Sequence, residues 1–270
     1  MTWRYRLLPL AAVATSTIAL SVAGASGVEE SSGLPPGVQL EAFVGTLRIT
    51  QDGAVISNMD ITGDVIVEAD NVTMKHVRVQ AISGDSAYWT VRVLDGADGF
   101  TLVESEIDGR GTTHSAINGY GSFLRNEIKG AENGINVTGP SLIQENYIHD
   151  LRNTGEPHYD GIQVDGGSDV RIIGNTIINE NAQTSAVMLD NYFSGLSNIT
   201  VENNRLVGGG YVLYVSSQFS GGPVDNATIK IINNQVGGGY YGDFAFTGTN
   251  PINHGNVGLA AAVNSDGKGR

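Results

Sequence analysis

The sequence predicts an all-β chain wound as a parallel β-solenoid of about eight to nine coils. Three observations carry this reading. A short motif recurs: Ser105-Glu106-Ile107, Asn126-Glu127-Ile128, Asn146-Tyr147-Ile148, Asn175-Thr176-Ile177, Asn204-Arg205-Leu206 and Asn234-Gln235-Val236. Its last positions lie 21, 20, 29, 29 and 30 residues apart, a spacing that marks stacked repeats of one supersecondary unit. The stretches between are short, alternate apolar with polar residues and carry no helical period, with Gly and Asn/Asp clusters as punctuation.

Taken in order, the chain opens with a basic pair, Arg4 and Arg6, an apolar run from Leu7 to Val22, and Ala23-Gly24-Ala25. This pattern predicts a secretory signal peptide over residues 1–25, cut after Ala25. Residues 26–39, rich in Gly, Ser, Pro and Glu, read as a flexible leader. The solenoid is expected over 40–257 and a disordered tail over 258–270. Within each coil one strand precedes the Asn motif, as at Val170 to Ile173 or Ile229 to Ile232. Another opens the coil, as at Gly161-Ile162-Gln163-Val164, Val187-Met188-Leu189 and Leu213-Tyr214-Val215. Coils pairing at roughly 4.8 Å stack equivalent residues in columns. Ile117, Ile135, Ile162, Val187 and Leu213 then fill the interior, and Asn126, Asn146, Asn175, Asn204 and Asn234 form an amide ladder at a turn. Longer insertions at 108–114, 149–159, 179–184 and 208–211 separate the Asn motif from the next opening strand. The first three should emerge at one edge, where repeat proteins usually build a binding surface.

Charge narrows the partners. The chain has 15 basic and 28 acidic residues. Without residues 1–25, whose charged side chains are Arg4 and Arg6, 13 basic and 28 acidic groups remain, a net charge near −15. Such a surface opposes nucleic-acid binding, which needs a basic footprint. No segment after the leader is long and apolar enough to predict a membrane span. There are no cysteines, so core and backbone ladder must supply the stability.

The run HDL…PHYDGIQVDGGSDVRIIGNTI, followed by SAVML, NITVENNRL, GGGYVLYV and ATIKIINNQV, resembles secreted bacterial right-handed parallel β-helix repeat proteins of the pectate-lyase-like superfamily, over roughly residues 44–257. The resemblance implies a right-handed coil with a site on the outer face of the first sheet and its neighbouring loops. It leaves the reaction open, because that group includes lyases, hydrolases, epimerases and phage depolymerases.

Candidate chemistry centres on residues 146–165. Alternation points Ile162 and Val164 inward and Gln163 and Asp165 outward. The column through Gln163 runs from Arg92 and Asn136 to Met188 and Tyr214, and Asp165 stacks beside Asp190. Two stacked carboxylates repel unless one holds a proton or a cation lies between them. Asp165 and Asp190 are therefore a candidate Ca²⁺ site, an acid–base pair, or solvated turn residues. His114, His149, His158 and Asp160, with Asp108, Arg110 and Asp150, are expected to converge along the insertion edge, within about two coils. Three reactions or roles follow. The leading one is β-elimination on a uronate polysaccharide, with His149 or His158 as base and Arg110, Gln163 or Ca²⁺ neutralising the carboxylate. The alternative is glycoside hydrolysis by Asp160, Asp165 and Asp190, which suits a neutral glycan. The last is a solenoid that binds glycan or cell wall without catalysis. Tyr159, Tyr192 and Tyr214 are candidate sugar contacts, because aromatic faces pack on sugar rings. The expected setting is extracellular or wall-associated, and oligomeric state is left open.

Overall fold

The computed structural model describes residues 27–82 and 88–259. The signal-peptide reading over 1–25 and most of the tail expected over 258–270 lie outside them. Every strand pairing between coils is parallel, and each coil contributes to three sheets. The first sheet is a column of nine strands: Leu47–Ile49, Val65–Val67, Trp89–Val93, the middles of two long strands near residues 115–118 and 133–137, Asp160–Val164, Ser185–Asp190, Tyr211–Ser216 and Gly242–Thr247. The second sheet carries the Asn-x-Ile motifs, including Tyr147–His149, Thr176–Asn179 and Arg205–Gly208. The third carries the strands that precede the Asn motifs, including Gly167–Ile173 and Leu196–Glu202.

Parallel stacking turns the β-branched positions into interior columns. Val91, Ile117, Ile135, Ile162, Val187 and Leu213 pair in series along the first sheet and are wholly buried. The second sheet contributes Ile107, Ile128, Ile148, Ile177 and Leu206, and the third contributes Leu102, Phe123, Ile143, Ile172 and Val201. Each such side chain contributes about 1.5–3 kcal/mol relative to exposure.

The turn between the third and second sheets holds the polar counterpart. Asn126, Asn146, Asn175, Asn204 and Asn234 are wholly buried. Each amide nitrogen donates to the next asparagine's Oδ1, at 2.9–3.0 Å, and to a backbone carbonyl of the preceding coil. Ser105 begins the ladder and Asn256 extends it. Residues just before the ladder adopt the left-handed conformation: Glu104, Arg125, Glu145, Gly174, Asn203 and Asn233, at φ of 49–65°. A branched side chain would be strained there, and the ladder's buried bonds hold the turn against that cost.

Part of the segment expected to be a flexible leader is docked. Val28–Ser31 form a helical turn, Ser32 Oγ donates to the Glu145 carbonyl at 2.8 Å, and Gly33 N donates to the Arg125 carbonyl at 2.9 Å. The left-handed turns present those carbonyls outward, and this segment caps them.

All four insertions lie at the corner between the second and first sheets, as the pairings on either side require.

Candidate functional site

The outer face of the first sheet carries a polar cluster over three coils. Asn136 pairs with Gln163, Gln163 with Met188, and Met188 with Tyr214, with Arg92 and Asn118 earlier in the same column. Val164 pairs with Leu189, so the next residues, Asp165 and Asp190, are neighbours across coils.

Asp160 joins them through a break in alternation. A Cβ on Gly161 would meet Ile177 Cγ2 at 2.3 Å, in the interior, and Ile162 also points inward. Two consecutive inward positions leave Asp160 on the same face as Gln163. The equivalents one coil before and one after are Asn133, ahead of Gly134, and Ser185, ahead of Ala186. Asn133 Nδ2 and Asn136 Nδ2 donate to Gln163 Oε1, at 2.8 and 3.3 Å, and Gln163 Nε2 donates to Asp165 Oδ1 at 2.9 Å. Asp160 N donates to Asn133 Oδ1 at 2.9 Å, and Ser185 Oγ donates to Asp160 Oδ1 at 2.5 Å. Asp190 Oδ1 accepts the Tyr192 N–H at 2.9 Å.

All three carboxyls hold their protons more tightly than usual. Asp160, 2% exposed, is pushed up to about 8, first by burial and then by the charges of Asp165 and Asp190. Asp165 is pushed up to about 6 by burial and by Asp190. Asp190 is raised by burial, against which its bond from Tyr192 works. Among the described residues no ion pair engages any of the three. Such uncompensated acids on an outer surface are costly and point to function.

The histidine edge divides. His149 is on the outer face of the second sheet: its ring stacks on Tyr147 at 4.0 Å, and it bonds Glu127 Oε1 at 3.2 Å and Asp150 Oδ2 at 3.0 Å. That face is a charge ladder of Arg78, Glu106, Lys129 and Glu127, and the bond from His149, then Lys129, holds Glu127 down at about 2. Asp108 accepts the Arg110 N–H at 2.7 Å, and the Arg110 guanidinium bonds Gln80. The single converging edge expected for these seven residues is therefore wrong for His149, Asp150, Asp108 and Arg110. They stand where the chain leaves the second sheet, at the start of the corner, and His114 and His158 stand at its end. His114 and His158 do lie beside the first sheet. His114 stacks on Tyr88 at 4.6 Å, bonds Ser115 Oγ at 3.1 Å and stands 3.7 Å from Glu132. The same Glu132 accepts the His158 N–H at 3.0 Å and the Asn153 amide at 3.2 Å, so it ties the 149–159 insertion to the sheet edge. Tyr159 is also corrected: its ring packs on the core and its hydroxyl donates to Asn153 O at 3.3 Å.

Sequence reasoning missed Glu132, Asn133, Ser185, Phe193 and Phe219. Asn133 and Ser185 were legible as the residues before Gly134 and Ala186, equivalent to Asp160 before Gly161.

Asp165 and Asp190 are the residues that would hold a cation. Each has one oxygen engaged, and Ca²⁺ takes six to eight oxygens, so most of its shell would be water or ligand. Among the described residues no group of three or more acids or histidines is placed to hold a metal ion. Two surface hollows lie elsewhere, one against Asp98, Tyr120, Pro140 and Arg171 and one against Glu180, Asn181, Val207 and Tyr240.

A family comparison agrees on the architecture. The family described as "Right handed beta helix region" has a model that matches residues 65–257. No curated protein matches the chain. Among solved structures, the chain is similar to the crystal structure of the Dettilon tailspike protein, at 13% identity and a TM-score of 0.46, over 79% of this chain and 44% of that one. The chain thus spans less than half the length of that tailspike.

Proposed function

Because the chain belongs to the right-handed β-helix family, we propose that its first-sheet face is a glycan-hydrolysing site built on Asp165 and Asp190. The observation that supports this is a stacked acid pair with raised proton affinity and, among the described residues, no Lys, Arg or His partner. Asp165, near 6, keeps a proton to pass to the glycosidic oxygen as the bond to the anomeric carbon breaks. Asp190, whose Oδ1 accepts the Tyr192 N–H, takes a proton from the water that attacks that carbon. Gln163 fixes Asp165 and is itself fixed by Asn133 and Asn136, which supplies the rigidity such a pair needs. Buried Asp160 stays neutral near pH 7 and adds no charge beside the pair.

The signal-peptide reading over 1–25 is the basis for placing the protein outside the cell, where a polysaccharide is its substrate. Elimination with His149 as base and Arg110 as neutraliser is less well supported by this geometry, because His149 is committed to the Glu127 ladder and Arg110 to Gln80. A second reading, favoured by the same unpaired acids, is a Ca²⁺ ion between Asp165 and Asp190 that neutralises a uronate.

The test is a panel of neutral and uronate polysaccharides incubated with purified protein, with calcium or with a chelator. New reducing ends without ultraviolet absorbance, insensitive to the chelator, are the expected result. Absorbance from a double bond conjugated to a carboxylate, lost with the chelator, would establish elimination instead. Silence across the panel would favour a binding solenoid.

A further inference from the structure

We propose that the exposed aromatic cluster Tyr192, Phe193 and Phe219 is a ring-stacking subsite for a neutral glycan chain, an inference that rests on the hydrolase reading of the adjoining acids. The three rings stand on two successive loops that follow first-sheet strands. They are 56, 75 and 44% exposed. Tyr192 meets Phe193 edge-on at 4.8 Å and Phe219 edge-on at 5.2 Å, so the rings support one another while leaving faces open to solvent.

The cluster is wired to the acid pair. Tyr192 N donates to Asp190 Oδ1 at 2.9 Å, and Phe193 N donates to the Asp165 carbonyl at 2.8 Å. Asn191, 2% exposed, staples the two loops: its amide donates to the Phe219 and Gly222 carbonyls at 2.9 and 2.6 Å, and its Oδ1 accepts the Phe219 N–H at 3.0 Å. A buried amide with these bonds spent on placing exposed phenylalanine is a costly way to build a loop with no partner. Exposed apolar rings held rigid beside a polar cluster mark a binding surface. The partner is a pyranose ring, whose C–H face is apolar and whose hydroxyl rim reaches the Gln163 and Asp165 network.

Charge selects within that class. A uronate beside Asp165 and Asp190 would bring a third carboxylate to a pair that no Lys, Arg or His side chain among the described residues engages, and like charges disfavour it. Arg92, the cation in the same outward column, is three coils from Gln163, roughly 14 Å at the strand spacing, and lies over the Trp89 ring at 4.2 Å.

The test measures binding by calorimetry and turnover by reducing ends, for cello-, xylo- and manno-oligosaccharides and for oligogalacturonate, on the full chain and on Phe193→Ala and Phe193→Trp. One neutral series should bind and the uronate should not. Phe193→Ala should weaken binding and raise KM about tenfold, the size of one ring contact, with kcat and unfolding midpoint unchanged, and Phe193→Trp should restore both. Preference for the uronate, or unchanged binding in Phe193→Ala, overturns the subsite. Hydrolysis that ignores Phe193 overturns the subsite and leaves the hydrolase reading standing. Ring-dependent binding of neutral glycan without hydrolysis supports the subsite and overturns that reading. No binding of any glycan overturns both.

Discussion

Replacing Asp160 by asparagine is expected to stabilise the protein at neutral pH and to lose that benefit in acid. The folded carboxyl is pushed from near 3.8 up to about 8, mainly by burial. In the unfolded chain the same group ionises at its ordinary value. Between roughly pH 4 and 8 the folded state therefore binds more protons than the unfolded state, and stability falls as pH rises through that window. One pH unit is worth about 1.4 kcal/mol, so keeping this proton costs about 4 kcal/mol at pH 7. Asparagine carries no charge in either state. Its Oδ1 can still accept from Ser185 Oγ, now at 2.5 Å from Asp160, and the altered bonding offsets about 1 kcal/mol. The net gain at pH 7 is about 3 kcal/mol, shrinking to nothing at about pH 4.5. Urea unfolding of both proteins at pH 4, 5.5 and 7 measures it. An equal loss of stability at every pH would refute the reasoning, because it would mean that the carboxylate is charged and bonded in the fold.

Turnover should fall as pH rises above about 6, where Asp165 gives up its proton, and a kcat/KM profile over pH 4–9 reads this limb directly. His149→Ala should leave turnover within about twofold of wild type, since the ring serves the second-sheet ladder. Glu127, now held down to about 2 chiefly by His149, contributes stability that is present above its ordinary value near 4.5 and lost as pH falls toward 2. In the variant that acid limb of the unfolding profile should flatten. Asn175→Ala removes bonds to the Ile143 carbonyl and to Asn204 and strands the Asn146 N–H. Each buried unsatisfied group costs about 1–3 kcal/mol, so a loss of about 3 kcal/mol or more is expected in thermal or chemical unfolding.

The fold was legible because its signals repeat. One asparagine in a turn is only polar; five at a constant offset from an inward Ile, Leu or Val define a column, and the observed amide bonds run along it. The outward column from Asn136 through Gln163 and Met188 to Tyr214 followed from period-two alternation. The site was legible where that rule holds and obscured where it breaks. Gly161 and Ile162 both face inward, so Asp160 could not be aimed by counting residues. His149 and His158 are nine residues apart, yet a corner of the coil separates them, one on the second sheet and one on the insertion beside the first. Glu132 was overlooked because its role is set across coils, by contacts to His114, Asn153 and the His158 backbone. Phe193 and Phe219 gave no periodic signal, being loop residues brought together by Asn191.

The most direct measurement of the central claim is kcat for Asp165→Asn and Asp190→Asn on whichever glycan the panel identifies, beside His114→Ala and His158→Ala. An acid–base pair requires each asparagine variant to lose about 10² or more in kcat while keeping its unfolding midpoint, and the histidine variants to stay active. Retained turnover in both asparagine variants, with loss in either histidine variant, would contradict the claim and move the chemistry to the insertion edge.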